Sequence, residues 1–451
     1  MGLGRQGDQQ GTMYLAWDEI PRSRGHAFYD RLQQTLRKAA FDGFAEKLCK
    51  PFYSDKGRPS IPPGRYFRMH LVGYFEGIDS ERGIEWRCAD SLSLRDFLQL
   101  SPKESVPDHS SLSRTRSRLP LATHQEVFTW VLKLLSKDGL VLGGRIGVDA
   151  STMEANAALK TIVRRDTGES YRKMLLRMAK ESGIDSPTDE DLARMDRKRV
   201  GKTLSNKDWQ SQVDPEAKIA KMKDGRTHLA YKPEHAVDLD TGAVVAVEVH
   251  EADKGDTSTL QKTLKAAQES LRRVTSTPPC PDDPAELVAD KGYFSRDVLK
   301  DLDGGPWRTR IAEPKRNGLN SWRGDHEARR AVYNNRIRIS SMVGKAMGKQ
   351  RTELVERSFE HTLDRSGGMR RVWLRGRENI QKRYLLHVAG FNLGLLMRVK
   401  TGHGTPRGWA SAWLALIWPN QHPSMAYLAI VMVVEGRCCG IMPIAVICGG
   451  E

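Results

Sequence analysis

The chain has 451 residues, a formal net charge of +16 and a sequence pI of about 9.6, with length enough for two or three domains around a substantial core. Its six cysteines, Cys49, Cys88, Cys280, Cys438, Cys439 and Cys448, show no paired CxxC spacing and no histidine partner pattern, which argues against a zinc finger or a disulfide framework. The opening residues Met1–Asp8 lack the apolar core of a signal peptide, so a reducing cytoplasm is the expected compartment.

Residues 27–48 alternate apolar and charged positions at helical spacing up to Pro51, and a Gly/Pro-rich stretch, Gly57–Gly64, follows, so 1–60 reads as a helical segment and linker. Residues 65–135 read as a helical bundle, with Tyr66, Met69, Leu71, Val72 and Phe75 on one apolar face and Ser91–Leu98 supplying another. Within it, Asp108 is placed to cap a helix that turns Leu112 and Leu119 inward and Arg114 and Arg118 outward. That outer stripe suits a DNA backbone, and a solvated basic face explains it equally well.

From Gly144 the pattern changes to strands. Arg145–Asp149 is the first, and His228–Leu239 and Ala243–His250 form a hairpin across Asp240-Thr241-Gly242. A helix over 257–273, a strand at Glu286–Asp290, a further strand at Arg310–Pro314, and helices near 350–363 and 377–399 complete a mixed sheet covered by helices. The charged stretch from about 160 to 225 reads as a helical, partly mobile insertion in this unit. Residues 401–451 read as a loosely attached tail. Its apolar run Ala426–Val434 is too short to span a bilayer, so no membrane partner is expected.

Two of these strands end in Asp149 and Asp290, and Glu356 lies in the helical segment near 350–363. Alone, each reads most simply as a solvated loop carboxylate or a helix cap. Together, two strand-end carboxylates and one from a helix can hold hard divalent cations, Mg²⁺ with Mn²⁺ as a substitute, for phosphodiester chemistry. Glu353 and Glu360 are close enough in sequence to compete for the third place. Residues 301–400 carry 22 Lys and Arg against 10 Asp and Glu, a net +12 suited to a polyanion. The arginines there are interleaved with Trp307, Trp322, Tyr333 and Trp373 and do not form one juxtamembrane block, which favours nucleic acid over anionic lipid. His235, His250 and His361 read as surface or hydrogen-bonded histidines.

These motifs resemble those of the DDE transposases of bacterial insertion sequences, in the branch with an InsH-like N-terminal domain. The likeness runs from about residue 61 to 398. It rests on Pro62–Arg65 through Pro107–Arg114, on Val148-Asp149-Ala150-Ser151, on Ala289-Asp290-Lys291-Gly292-Tyr293, and on Val355–Phe359 followed by Leu374–Asn379. It implies an α/β fold, an RNase H-like mixed sheet flanked by helices, preceded by an all-α N-terminal domain. On this division 61–140 is the helical DNA-binding domain and 141–400 the catalytic domain. It further implies Asp149, Asp290 and Glu356 as the metal-binding triad, with Tyr293 and Arg351 as accessory DNA contacts and Lys291 and Arg357 neutralising nearby phosphate. Many relatives carry Arg four positions before the Glu and Lys seven after it. Here those positions hold Thr352 and Leu363, with Arg351 and Arg365 as near substitutes.

The implied activity is metal-dependent cleavage at element ends, followed by attack of the freed 3′-hydroxyl on target DNA. The expected partners are double-stranded DNA, as terminal inverted repeats and target, and a second copy of the chain in a synaptic homodimer at the bacterial nucleoid. A structure-specific nuclease that does not join strands and a non-catalytic, transposase-derived DNA-binding protein are the alternatives.

Overall fold

The computed structural model describes residues 27–409 except 55, 58, 59, 102, 200–204, 223, 224, 316–321 and 323. The expected tail beyond residue 409 lies outside them.

Seven helices come first: α1 (Ala27–Lys38), α2 (Phe41–Cys49), α3 (Pro63–Glu76), α4 (Glu81–Ala89), α5 (Leu92–Phe97), α6 (His109–Arg118) and α7 (Leu121–Lys137). Asp108 caps α6 by accepting from the Ser111 N–H at 2.7 Å, and Leu112 and Leu119 are fully buried, as the sequence implied. The α3 segment is buried on every side from Tyr66 to Phe75, where the spacing suggested one apolar face. The reason is a second helix buried all round that crosses it, α14 (Arg377–Thr401, defined with the later elements below). A Cβ on Gly390 of that helix would lie 2.5 Å from the Tyr74 ring, so the crossing requires glycine.

The strands are β1 (Arg145–Ala150), β2 (Met153–Glu154), β3 (Ile162–Arg164), β4 (Trp209–Ser211), β5 (Lys218–Lys221), β6 (Thr227–Asp238), β7 (Val244–Glu251), β8 (Ala285–Ala289) and β9 (Trp307–Ile311). The main sheet runs β7–β6–β1–β8–β9, with β8 parallel to β1, β9 parallel to β8, and β6 antiparallel to both β1 and β7; β2 and β5 extend it along β6. Gly242 supplies the positive φ of 80° at the turn between β6 and β7. The region expected as a helical insertion holds α8 (Tyr171–Glu181) and α9 (Asp189–Lys198), with β3 and β4 paired as a separate ribbon and β5 joined to the main sheet. Strands of three or four residues carry too little alternation to be read ahead of the structure.

Helices α10 (Asp256–Val274), α11 (Arg296–Leu302), α12 (His326–Ser340), α13 (Met342–Phe359) and α14 (Arg377–Thr401) cover this sheet. The last strand falls three residues before its expected place. Trp307, Thr309 and Ile311 form its buried set, and Arg308 and Arg310 pair with Glu286 on the neighbouring strand. The whole of α12 was unforeseen, because only a narrow stripe of Ala328, Ala331, Val332 and Asn335 is buried.

Both sheet edges are closed by side-chain amides. Gln381 of α14 accepts from Val249 N–H at 2.6 Å and donates to Val247 C=O at 2.8 Å, and Asn392 makes the same paired contact with Val244. At the opposite edge Asn335 pairs with both backbone groups of Ile311. These contacts satisfy backbone groups that would otherwise invite another strand. Because α14 packs against α3, α7 and β7 alike, the N-terminal helices and the sheet share one core.

Candidate active site

In the parallel pair β1/β8, Val148 lies beside Ala289, so the next residues, Asp149 and Asp290, stand at adjacent strand ends. Asp149 Oδ1 accepts from the Ala150 N–H, and Oδ2 accepts from Arg351 Nη1 at 2.8 Å. Asp290 Oδ1 accepts from the Gly292 N–H at 2.8 Å and caps the single 3₁₀ turn Lys291–Tyr293. Neither carboxylate is fully buried.

Helix α13 brings the rest. It lies close on β1 because position 147 is glycine: a Cβ there would meet Leu239 at 2.6 Å, Arg351 at 3.0 Å and Val355 at 3.2 Å. That approach places Arg351 on Asp149. Glu356 follows fully buried Val355 and lies about 100° further round the helix, on an exposed flank. Among the described residues its carboxylate has no hydrogen bond or ion pair. Its two rivals do have partners: Glu353 pairs with Arg357, and Glu360 with Arg365 at 2.6 Å in the π-helical turn Glu360–Arg365.

Sequence reasoning missed the layer beneath. Glu234 of β6 is fully buried and accepts from Tyr293 Oη at 2.8 Å, from Thr259 Oγ1 at 2.9 Å and from Thr263 Oγ1. Burial alone would raise the Glu234 pKa, but the bonds from His250, Thr263 and Tyr293 outweigh it and hold the group below the ordinary carboxylate value. Tyr293 was expected to touch DNA. The structure instead buries it completely, so it anchors the turn that follows Asp290. Next to it Lys232 Nζ holds Asp256 at 2.6 Å, and a Cβ on Gly292 would sit 2.4 Å from Asp256 Oδ2. The available signal was a set of charged or titratable residues, Lys232, Glu234, His235 and Asp238, within a strand otherwise suited to burial.

His235 lies opposite Asp149 in the β1/β6 register and faces α13. Its ring stacks on Phe359 with centroids 4.0 Å apart and is bonded to Ser358 Oγ and Tyr384 Oη, each at 2.8 Å. Burial lowers its pKa to about 3, so it is a neutral strut.

The remaining sequence candidates are dispersed. Lys291 is exposed beside Asp290, and Arg357 is exposed on α13 in its pair with Glu353. Arg114 and Arg118 are exposed and line, with Ser60 and Ile61, a cavity of about 400 Å³ at α6. Arg118 also lies 4.9 Å from the Tyr53 ring. Among the described residues no three His, Cys, Asp or Glu side chains are gathered closely enough to hold a metal ion. Two of the three expected carboxylates are therefore brought together at strand ends, with Glu356 on the helix that crosses them. The donor set still fits a hard cation: oxygen ligands at adjacent strand ends, one already engaged by a guanidinium.

The sheet order, the three parallel strands and the two strand-end carboxylates define an RNase H-like α/β fold. Residues 18–118 match the family described as "Transposase domain (DUF772)", and residues 188–393, which include Asp290 and Glu356, match "Transposase DDE domain". The chain belongs to the DDE transposases. Asp149 precedes the second matched segment, and the first begins well before residue 61, where the resemblance in the sequence began. No curated protein matches the chain. Among solved structures, "Mos1 transposase paired-end complex with left transposon end" is similar at 12% identity over 66% of this chain and 82% of that one, with a TM-score of 0.17. No helix among the described residues is long and apolar enough to cross a membrane.

Proposed function

We propose that this transposase cuts DNA at the ends of an insertion sequence and joins the freed 3′ ends to target DNA, using Asp149, Asp290 and Glu356 to hold divalent cations, Mg²⁺ with Mn²⁺ as a substitute. The observation that carries the reading is the placement of Asp149 and Asp290 at adjacent parallel strand ends under the helix bearing Glu356. When bound, the cations would neutralise the scissile phosphate and lower the pKa of the attacking water. Arg351 holds Asp149 in place, and it and exposed Lys291 supply positive charge for phosphate beside the two strand ends. Tyr293 and Glu234 fix the turn after Asp290 from below. The partners are duplex DNA and a second copy of the chain in a synaptic homodimer, in the cytoplasm at the nucleoid.

A cleavage assay on intact element ends, beside a strand-transfer assay with labelled, pre-cleaved ends, tests this reading, and both cut and joined products are expected. Cutting without joining would make the protein a structure-specific nuclease. Binding without either would make it a DNA-binding derivative.

The third ligand is tested by neutral isosteres. Glu356→Gln should lose single-turnover cleavage in both Mg²⁺ and Mn²⁺, because an amide lacks the anionic oxygen that a hard cation prefers. Glu353→Gln and Glu360→Gln should keep most activity, since each removes only an arginine partner on the helix surface. An active Glu356→Gln beside an inactive Glu360→Gln would move the site one turn along the chain.

For α6, replacing both Arg114 and Arg118 with Ala should weaken end binding and reduce the slope of log affinity against log salt by about two, if both touch phosphate. An unchanged slope would return the helix to the status of a solvated face.

A further inference from the structure

Between the π-helical turn and α14 the chain runs extended along β2. Glu154 N–H donates to Arg370 C=O at 2.8 Å, and Val372 N–H donates to Glu154 C=O at 2.9 Å. Arg370 Nη1 then reaches Ser151 Oγ at 3.0 Å and Thr152 C=O at 2.9 Å. This segment is thereby fixed to the residues that immediately follow Asp149, at the carboxylate end of the sheet.

In an extended segment alternate side chains share one side. Val372 points inward and is 3% exposed, while Arg371, Trp373 and Arg375 face solvent, with Trp373 51% exposed. The indole is exposed yet held. Its Nε1–H donates to Asp79 Oδ2 at 2.7 Å, its backbone carbonyl accepts from Asn156 at 2.8 Å, and the Arg371 guanidinium lies 5.7 Å from the ring centroid. Arg371 is only loosely engaged by Glu154, at 3.7 Å, and among the described residues the Arg375 guanidinium has no partner. The other aromatic residues of the basic region differ. Trp307 is buried in β9, and Trp322 and Tyr333 sit with Arg296, Arg329 and Arg336 on the β9 side.

We propose that Arg371, Trp373 and Arg375 form a stacking ledge for an unpaired DNA strand lying beside the Asp149 end of the sheet. A rigid aromatic face flanked by guanidinium groups matches a base between two phosphates. A base offers its face only when it is unstacked from a duplex, so the ledge distinguishes an unpaired strand from a paired one. Because the indole is already held by Asp79, little conformational freedom is lost on binding. This inference rests on the DNA-processing reading above.

The test is equilibrium binding, by fluorescence anisotropy in chelator, to a blunt duplex and to the same duplex carrying a short unpaired tail. The full chain should bind the tailed DNA more tightly. Trp373→Ala should bind tailed DNA about tenfold more weakly with blunt-duplex affinity unchanged. Trp373→Phe, which loses the Asp79 bond but keeps an aromatic face, should retain most of the preference. The double variant Arg371→Ala/Arg375→Ala changes only exposed side chains and should weaken tailed binding with a shallower salt dependence. Trp373→Ala binding tailed DNA like the unmodified chain, or losing affinity equally for both DNAs, would overturn the ledge while leaving the DNA-processing reading intact. Failure of the unmodified chain to bind either DNA would overturn both.

Discussion

Asp149→Asn and Asp290→Asn should each reduce cleavage by more than about a hundredfold while leaving DNA affinity unchanged or slightly improved. An asparagine oxygen can still accept from Arg351 at position 149, where the bond from the Ala150 N–H is lost, and from the Gly292 N–H at position 290, so one local hydrogen bond survives at each site. The main loss is the negative charge, and with it the preference of a hard cation for the site. Single-turnover cleavage in Mg²⁺, beside a binding isotherm in chelator, separates the two quantities. Near-normal cleavage by either variant would remove that carboxylate from the assignment.

Stability should fall steeply between about pH 6.5 and 5. Burial lowers the pKa of His235 to about 3 and that of His124 to about 4, and it pushes His70 and His387 well below their ordinary value. His70 and His387 accept hydrogen bonds from Arg383, each at 2.8 Å, so a proton on either would face a buried guanidinium. His235 faces Ser358, Phe359 and Tyr384, and none of these offers a carboxylate to a cation. A histidine held neutral in the fold stabilises it fully above its unfolded pKa. That contribution is lost as pH falls, because the unfolded chain takes up the proton first. For His235 and His124 the loss at pH 5 is about 2 kcal/mol each, from an unfolded pKa of about 6.5. Chemical unfolding at pH 7.5 and pH 5 should show the drop. His235→Asn should be less stable at pH 7.5 but less sensitive to acid. Equal stability of the unmodified chain at both pH values would refute this account.

The residues that local sequence exposes well are those whose role is repeated along a strand or helix. Short apolar runs bounded by turn residues gave β1, β6, β7 and β8, of which β6 and β7 are buried almost throughout, helical spacing gave α6, α10 and α14, and the strand ends exposed Asp149 and Asp290 as candidates. Asp108 was readable as a cap because capping depends on the three residues that follow it. Where the period was weak, the reading slipped. The last strand lies at Trp307–Ile311 because its register with β8 and its closure by Asn335 decide its bounds, and α12 shows only a narrow stripe of small residues to the core.

The tertiary structure alone decided the surroundings of the candidate site. Tyr293 lies three residues past Asp290 and looked like a surface contact. Its burial depends on Glu234, 59 positions earlier, and on two threonines of α10. Arg351 is 202 positions from Asp149, and their contact exists because Gly147 lets α13 lie close on β1. Charge and hydrogen bonding act over a few ångströms and take no account of chain separation. Sequence therefore determined which residues could carry the chemistry and which strands and helices present them. Folding across the sheet decided which of them are neighbours, which are buried as supports, and which remain exposed.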